Sequence, residues 1–231
     1  MIGDPLYWML ALPGLALGML AAFLTKSTFA KYAQVGVQSG LTGAEAARQM
    51  LNALDVHDVR VHETQGFLSD HYDPRTHSLH LSPDVYHGQS LSSIGVACHE
   101  AGHALQQAQG YALMGLRSLL LPVTIAGQNI APILFMVGFA MNSMGLVRIG
   151  IALFAMAVLF AIITLPIEWD ASARAKRYMT ESGIVTALEY PHAAKVLNAA
   201  FLTYVAGAIT AVLQLVYFLI RAGLLGGRRN D

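Results

Sequence analysis

The chain has 231 residues, of which 55% are hydrophobic and only 12% are charged, and its mean hydropathy is +0.50. This composition excludes an ordinary soluble domain, in which about a quarter of the residues are charged. Basic and acidic residues number 14 each, so the formal net charge is zero and no nucleic-acid-binding surface is expected. The single cysteine, Cys98, excludes an internal disulfide.

Four segments are apolar over about the 20 residues that a helix needs to cross a bilayer. They extend over residues 5–25, 119–141, 146–165 and 199–220, and they contain no histidine and no acidic residue. Only Asp4 precedes the first segment, and Lys26 and Lys31 follow it, so we expect a retained anchor rather than a cleaved secretory signal. The short polar break at residues 142–145 predicts that the second and third spans form a helical hairpin.

The first long polar segment, residues 26–118, is predicted to form a small α+β region. Thr42-x-x-Glu45 is typical of a capping box at the start of an amphipathic helix. Three short strands are predicted at residues 59–61, 66–72 and 78–82. In the last strand, Leu79 and Leu81 alternate with polar residues, so we expect a half-exposed strand whose free edge pairs with an extended substrate. A strand that only packs on the helices is the alternative.

The sequence His99-Glu100-Ala101-Gly102-His103 lies in the same segment and has the form H-E-x-x-H. On a helix, this spacing directs both imidazoles to one point, where each can take a tetrahedral position around Zn²⁺. Glu100 lies beside that face, where it can take a proton from a zinc-bound water. The motif therefore predicts a zinc site with its own general base, against the alternative of two surface histidines. Cys98, beside His99, is interpreted as a packing residue rather than a nucleophile.

A catalytic zinc site needs a third protein ligand and an open position for water. The second polar segment, residues 166–198, offers Glu168, followed by Asp170 and Ser172, and on a helix Ser172 shares the face of Glu168. Spacing alone is equally compatible with a solvated or capping charge at Glu168, so both interpretations stay open at this point.

Other polar side chains are weaker candidates. Tyr178, His192 and Arg174 lie on the segment where an oxyanion could be stabilised, although packing or surface roles are more usual for such residues. Six further histidines are expected at the surface or in turns: His57, His62, His71, His77, His80 and His87. Of these, His71 and His80 flank the possible substrate edge.

Four stretches together resemble the neutral zinc metallopeptidases of bacterial membranes known as YugP-like. They are LSDHYDPR (68–75), VACHEAGHALQ (96–106), IEWDASARA (167–175) and VLNAAFLTYVA (196–206). More distantly, the layout is similar to the HtpX-type membrane peptidases, in which a glutamate downstream of H-E-x-x-H completes the zinc site and an acid follows four positions later. The resemblance implies zinc held by His99, His103 and Glu168. Ser172 stands where the later acid would be, and Asp170 is the substitute ligand if the motif is aligned differently.

This resemblance implies a membrane-bound zinc endopeptidase in which Glu100 is the general base. The expected fold is mainly α, with about four transmembrane helices and a small α+β zincin-like catalytic region carrying a short β-sheet, all within one membrane-embedded unit over residues 1–231. The expected partners are the lipid bilayer and a protein or peptide substrate, which we expect to be membrane-associated. A homo-oligomer or a membrane partner protein is left open.

Three other functions are weighed against this one. A site-2-type intramembrane protease also carries H-E-x-x-H, but its third ligand is an aspartate in an L-D-G-like motif, which is missing from this sequence. A zinc transporter would carry histidines and acids inside its spans. A non-catalytic, zinc-stabilised membrane scaffold has the same ligands as the enzyme, and only the requirement for Glu100 separates the two.

The distribution of basic residues predicts the orientation in the membrane. Near the span ends, the predicted catalytic side has Lys26, Lys31, Arg117, Arg174, Lys176, Arg177 and Lys195, whereas the other side has Arg148, Arg221, Arg228 and Arg229. By the positive-inside rule, we expect the catalytic site to face the cytoplasm of a bacterial cell and both termini to lie outside. The basic pair Arg228-Arg229 argues against an external C-terminus.

Overall fold

A computed structural model describes residues 3–66 and 69–225, and these residues form mainly helices together with a small sheet. The elements in chain order are α1 (Pro5–Tyr32), α2 (Gly43–Asn52), β1 (Arg60–Glu63), β2 (His71–Asp73), β3 (Ser78–Leu81), α3 (Pro83–Tyr86), α4 (Leu91–Ala108), α5 (Ala112–Ala140), α6 (Met144–Glu181) and α7 (Tyr190–Arg221). In the described part of the chain, α1, α5, α6 and α7 are long and apolar enough to span a membrane. The predicted fold class is confirmed.

The four long helices extend beyond the apolar segments that predict them. α6 continues to Glu181 although Pro166 lies inside it, so the segment that carries Glu168 is helical. The predicted hairpin is confirmed, because α5 ends at Ala140 and α6 begins at Met144. Asn142 in this turn has a φ of 50°, in the left-handed region that asparagine tolerates better than most residues.

The described residues of the chain divide into two compact units, of which the first contains residues 3–20, 115–166 and 203–225. Its small core includes Phe135 and Phe218, whose stacked rings have centroids 3.7 Å apart. Many of its large apolar side chains are exposed instead, and Leu119 is 73% exposed. Exposed apolar side chains on long helices are what lipid rather than water favours, because the backbone hydrogen bonds are satisfied inside each helix.

The second unit contains residues 21–66, 69–114 and 167–202, and α4 lies at its centre. Ser90 caps α4 by accepting a hydrogen bond from the Ser93 amide, and most side chains of the helix are buried. They pack against α2, against the sheet and against the last turns of α6. The predicted capping box of α2 is also confirmed: the Thr42 hydroxyl accepts from the Glu45 amide, and the Glu45 carboxylate accepts from the Thr42 amide.

The sheet has the strand order β1-β3-β2, with β1 parallel and β2 antiparallel to β3. The prediction of a free substrate edge at residues 78–82 is therefore wrong, because β3 is the central strand. The prediction of a half-exposed strand is also wrong, because Ser78 and Ser82 are buried together with Leu79 and Leu81. Alternation along one strand does not show whether the strand has neighbours on both sides. The predicted strand 66–72 is shorter than expected and begins at His71, and its residues 67–68 lie outside the described part.

A close approach between α4 and α6 depends on Gly102. A Cβ at this position would lie 2.6 Å from the Ala171 carbonyl oxygen and 3.2 Å from its carbon. We expect Gly102→Ala to lower the free energy of unfolding by about 1–3 kcal/mol, because the two helices must separate to accept the methyl group. Thermal unfolding of the purified protein measures this effect.

Gly95→Ala is the matched control, because Gly95 lies in the same helix. A Cβ there would meet its nearest atom, the Ala193 carbonyl oxygen, at 3.7 Å, which is an ordinary contact. If both variants unfolded at the same temperature, the importance of the Gly102 contact would be disproved.

Candidate metal centre

Three side chains that can bind a metal converge between α4 and α6. His99 and His103 lie one turn apart on α4, and α6 supplies Glu168. The distance between Glu168 Oε2 and His99 Nε2 is 3.2 Å, and the distance between Glu168 Oε2 and His103 Nε2 is 3.3 Å. Ligand atoms of all three residues lie within 4.8 Å of one another. The structure thus brings together the three residues that the sequence predicts as zinc ligands.

These three side chains are mostly shielded from solvent. The exposed fraction of the side chain is 14% for His99, 7% for His103 and 2% for Glu168. A carboxylate this deeply buried is costly unless positive charge or hydrogen bonds compensate for it. The arrangement therefore favours a cation at the point that the three side chains share, and His99 marks its more open side.

The outer nitrogen of each imidazole has a hydrogen-bonding partner. His99 Nδ1 lies 3.0 Å from Ser172 Oγ, and His103 Nδ1 lies 2.9 Å from Gln106 Oε1. Ser172 therefore contacts a histidine from the position where the HtpX-type peptidases carry an acid, but as a neutral hydroxyl. Because each Nδ1 atom is engaged, each Nε2 atom is directed toward Glu168, and such partners are typical of metal-binding histidines.

Two of the three distances between ligand atoms fit a tetrahedral zinc ion. Zinc bonds of about 2.0–2.1 Å and tetrahedral angles place neighbouring ligand atoms about 3.3 Å apart. The two measured separations, 3.2 and 3.3 Å, agree with that spacing. Two imidazole nitrogens and one carboxylate oxygen are also a ligand set found in catalytic zinc sites. Within residues 3–66 and 69–225, this is the cluster of histidine, cysteine and acidic side chains whose geometry suits a metal.

The electrostatics around His103 also favour positive charge. Burial alone would lower the pKa of the His103 imidazole, but the hydrogen bond and the negative charge of Glu168, with a further contribution from Glu100, raise it. Glu100 is itself buried, with 8% of its surface exposed, and it neighbours His99 in α4. The candidate general base therefore lies close to the ligands and is largely removed from bulk water.

Cys98 does not take part in this chemistry. Its side chain is fully buried, and burial raises the pKa of the thiol to about 12. The thiolate is the nucleophilic form of cysteine, and it is negligibly populated at neutral pH with such a pKa. This supports the interpretation of Cys98 as a packing residue.

Asp170 and Arg174 lie beside the cluster but contact other groups. Asp170 Oδ2 accepts a hydrogen bond from Gln106 Nε2 at 2.8 Å and pairs with the guanidinium of Arg174. Arg174 also hydrogen-bonds to the Gln109 side chain. The substitute ligand that the sequence leaves open is thus held in an ion pair. Gln106, by contrast, was not predicted as a site residue, although a polar residue one turn after His103 on an apolar helix was the available signal.

The two other candidates for oxyanion stabilisation have their described contacts elsewhere. The guanidinium of Arg177 lies 5.0 Å from the centre of the Tyr178 ring. His192 Nδ1 lies 3.3 Å from the Tyr32 hydroxyl. Neither contact points to a catalytic role.

The other histidines were predicted at the surface or in turns, but three of them lie in the strands of the sheet. His62, His80 and His71 form a row across the sheet, with ring centroids 5.8 and 4.8 Å apart along it. The remaining three are paired with carboxylates near the surface: His57 with Asp55, His77 with Asp58 and His87 with Glu63.

Known proteins similar to this chain are named as zinc peptidases and membrane proteases. The family described as "Putative neutral zinc metallopeptidase" matches residues 7–223. The "Putative membrane protease YugP" of Bacillus subtilis (strain 168) is 43% identical over 215 residues, which cover 93% of this chain and 96% of that protein. No solved structure matches the chain. With four apolar helices among the described residues and a match over nearly its whole length, the chain is a membrane protein that belongs to the neutral zinc metallopeptidase family.

Proposed function

We propose that the protein is a zinc-dependent endopeptidase of the gluzincin type, in which zinc is held by His99, His103 and Glu168. The observation that carries this proposal is the convergence of three metal-binding side chains, with Glu168 Oε2 3.2 and 3.3 Å from the two imidazole Nε2 atoms. We further propose that Glu100 is the general base and that the substrate is a membrane-associated protein or peptide. Membership of the metallopeptidase family supports zinc-dependent peptide hydrolysis, and the position of Glu100 next to His99 supports its role as the base.

In the proposed mechanism, zinc and Glu100 carry out the chemistry, and other residues hold the zinc ligands in place. When bound, zinc supplies Lewis acidity, which polarises the scissile carbonyl and brings the pKa of water to about 7. Glu100 takes a proton from the attacking water and passes it to the leaving amine. Ser172 and Gln106 hold the imidazoles of His99 and His103, so that their Nε2 atoms stay directed to the metal. The burial of Glu168 keeps bulk water away from the inner side of the site.

Two alternatives share the H-E-x-x-H motif. A site-2-type protease would use an aspartate as third ligand, whereas here Glu168 meets the histidines and Asp170 pairs with Arg174. A non-catalytic zinc scaffold needs the same three ligands but does not need Glu100. The requirement for Glu100 therefore discriminates between the enzyme and the scaffold.

Replacing Glu100 by Gln tests the catalytic role. We expect Glu100→Gln to lower the rate of peptide hydrolysis by about 10²–10⁴-fold, because the amide cannot accept the proton of water. Zinc content should stay the same, because Glu100 is not a proposed ligand. Cleavage of a fluorogenic peptide library and elemental analysis of the same purified samples measure both effects.

Glu181→Gln is the matched control, because Glu181 is an exposed residue paired with Arg177, and it should change neither quantity. Wild-type turnover in the Glu100→Gln protein would refute the role of Glu100 as general base. A wild-type protein that binds zinc but cleaves no peptide of the library would support a non-catalytic scaffold.

A second prediction concerns the ligands themselves. His99→Ala, His103→Ala and Glu168→Ala should each lose zinc during purification, because the site has no spare protein ligand. Asp170→Ala, saturated with zinc and then desalted, should retain one zinc per chain. The opposite result, with zinc kept by Glu168→Ala and lost by Asp170→Ala, would make Asp170 the third ligand.

The third prediction concerns orientation, since we propose that the site faces the cytoplasm of a bacterial cell. Arg75→Cys introduces a thiol on the catalytic unit, at a position whose side chain is 89% exposed. In intact cells, a membrane-impermeant maleimide should leave this thiol unmodified, and it should react after permeabilisation. Cys98→Ser as background removes the native thiol.

Met141→Cys is the matched control, because Met141 lies between α5 and α6 and is 69% exposed. It should react in intact cells if the hairpin turn lies outside. Labelling of Arg75→Cys but not of Met141→Cys in intact cells would reverse the proposed orientation.

A further inference from the structure

Gln106 makes three hydrogen bonds although its side chain is fully buried. Its Oε1 atom lies 2.9 Å from His103 Nδ1. Its Nε2 group donates to the Ile167 carbonyl oxygen at 2.8 Å and to Asp170 Oδ2 at 2.8 Å. Gln106 therefore links His103 on α4 to Ile167 and Asp170, which lie close to Glu168 in the sequence of α6.

The two acceptors determine which way the Gln106 amide points. A carbonyl oxygen and a carboxylate cannot donate a hydrogen, so they require the NH₂ end of the amide on their side. A flipped amide would place its oxygen against both of them and would leave the NH₂ group facing His103. Buried polar groups without partners are costly, so the observed orientation is strongly favoured.

The orientation of the amide then determines the state of the His103 ring. Gln106 Oε1 can only accept, so His103 Nδ1 must carry the hydrogen. The other nitrogen, Nε2, lies 3.3 Å from Glu168 Oε2. With Nδ1 held by Gln106, Nε2 is the atom that faces the proposed metal position, and a metal binds there in place of the Nε2 hydrogen.

Asp170 is held in place by its own neighbours. The guanidinium of Arg174 pairs with Asp170 Oδ2, hydrogen-bonds to the Gln109 side chain and lies 5.9 Å from the centre of the Tyr111 ring. Since Gln109 and Tyr111 follow α4, the guanidinium is anchored from both helices. The carboxylate that orients Gln106 is thus part of a fixed network rather than a mobile surface group.

We infer that Gln106, oriented by Asp170 and the Ile167 carbonyl, is a positioning residue. It fixes the orientation of the His103 ring for metal binding and links this ring to the part of α6 that carries Glu168. The inference rests on the proposed zinc site, and it assigns to Gln106 and Asp170 a role that differs from ligation. Gln106 acts through His103, not on the substrate.

The test compares two adjacent glutamines. Gln106→Met keeps the length of the side chain but removes all three hydrogen bonds. We expect the zinc dissociation constant to rise by about 10–100-fold, the range typical when the partner of a metal-binding histidine is lost. Gln107→Met should leave it unchanged, because the Gln107 amide contacts the Pro74 carbonyl oxygen and His77 instead. Titration of the full-length protein with Zn²⁺ and a competing chelator measures the constants.

A spectroscopic measurement separates positioning from a merely structural role. In metal-free protein labelled with ¹⁵N-histidine, the hydrogen on His103 Nδ1 should exchange slowly with solvent in the wild type and in Gln107→Met, and faster in Gln106→Met, because only Gln106→Met loses the acceptor of that hydrogen. If Gln106→Met bound zinc as tightly as Gln107→Met, or kept the slow exchange of this hydrogen, the inference would be overturned.

Asp170→Ala decides the question if Gln106→Met does not fold. The Asp170 side chain is 31% exposed, so its removal leaves no buried cavity. It should weaken zinc binding without changing the stoichiometry, and an unchanged dissociation constant would then overturn the inference. A failure of peptide hydrolysis alone would refute the proposed function and leave these zinc measurements interpretable.

Discussion

The contact between the Glu168 carboxylate and the two α4 imidazoles is the interaction on which the rest of the second unit depends. It requires two helices that are far apart in sequence to approach within side-chain reach, and Gly102 permits this approach next to the Ala171 backbone. The small residues Ala97, Ala101 and Ala104 are buried around it. Helix packing and site geometry are therefore coupled, because any change in the distance between α4 and α6 also changes the distances between the ligand atoms.

Sequence patterns predicted those parts of the molecule that depend on local spacing. The hydropathy of long segments predicted α1, α5, α6 and α7, and the capping box predicted the start of α2. The i, i+4 spacing predicted the pairing of His99 with His103. Glu168 needed more than spacing, since an isolated acid near a membrane helix is compatible with several roles, and only the family resemblance selected it.

Features that depend on long-range pairing could not be predicted in the same way. The alternation in residues 78–82 predicted the burial of Leu79 and Leu81, but β3 lies in the centre of the sheet, and Ser78 and Ser82 are buried as well. The role of Gln106 was missed for the same reason: its partners, Ile167 and Asp170, belong to another helix. A single glutamine on a buried helix face indicates that a polar group packs against it, but the sequence does not show which residue provides that group.

The neutral partners of the two histidines have a consequence for how the proposed zinc ion would be held. A carboxylate behind an imidazole makes the ring a stronger donor, whereas His99 here is backed by the Ser172 hydroxyl and His103 by the Gln106 amide. The only negative charge in the ligand set is that of Glu168, so a bound divalent ion keeps an excess of positive charge. Such an ion is a stronger electrophile toward a carbonyl group, and it also leaves more readily. If zinc is held as proposed, catalytic strength and slow metal exchange therefore oppose each other at this site.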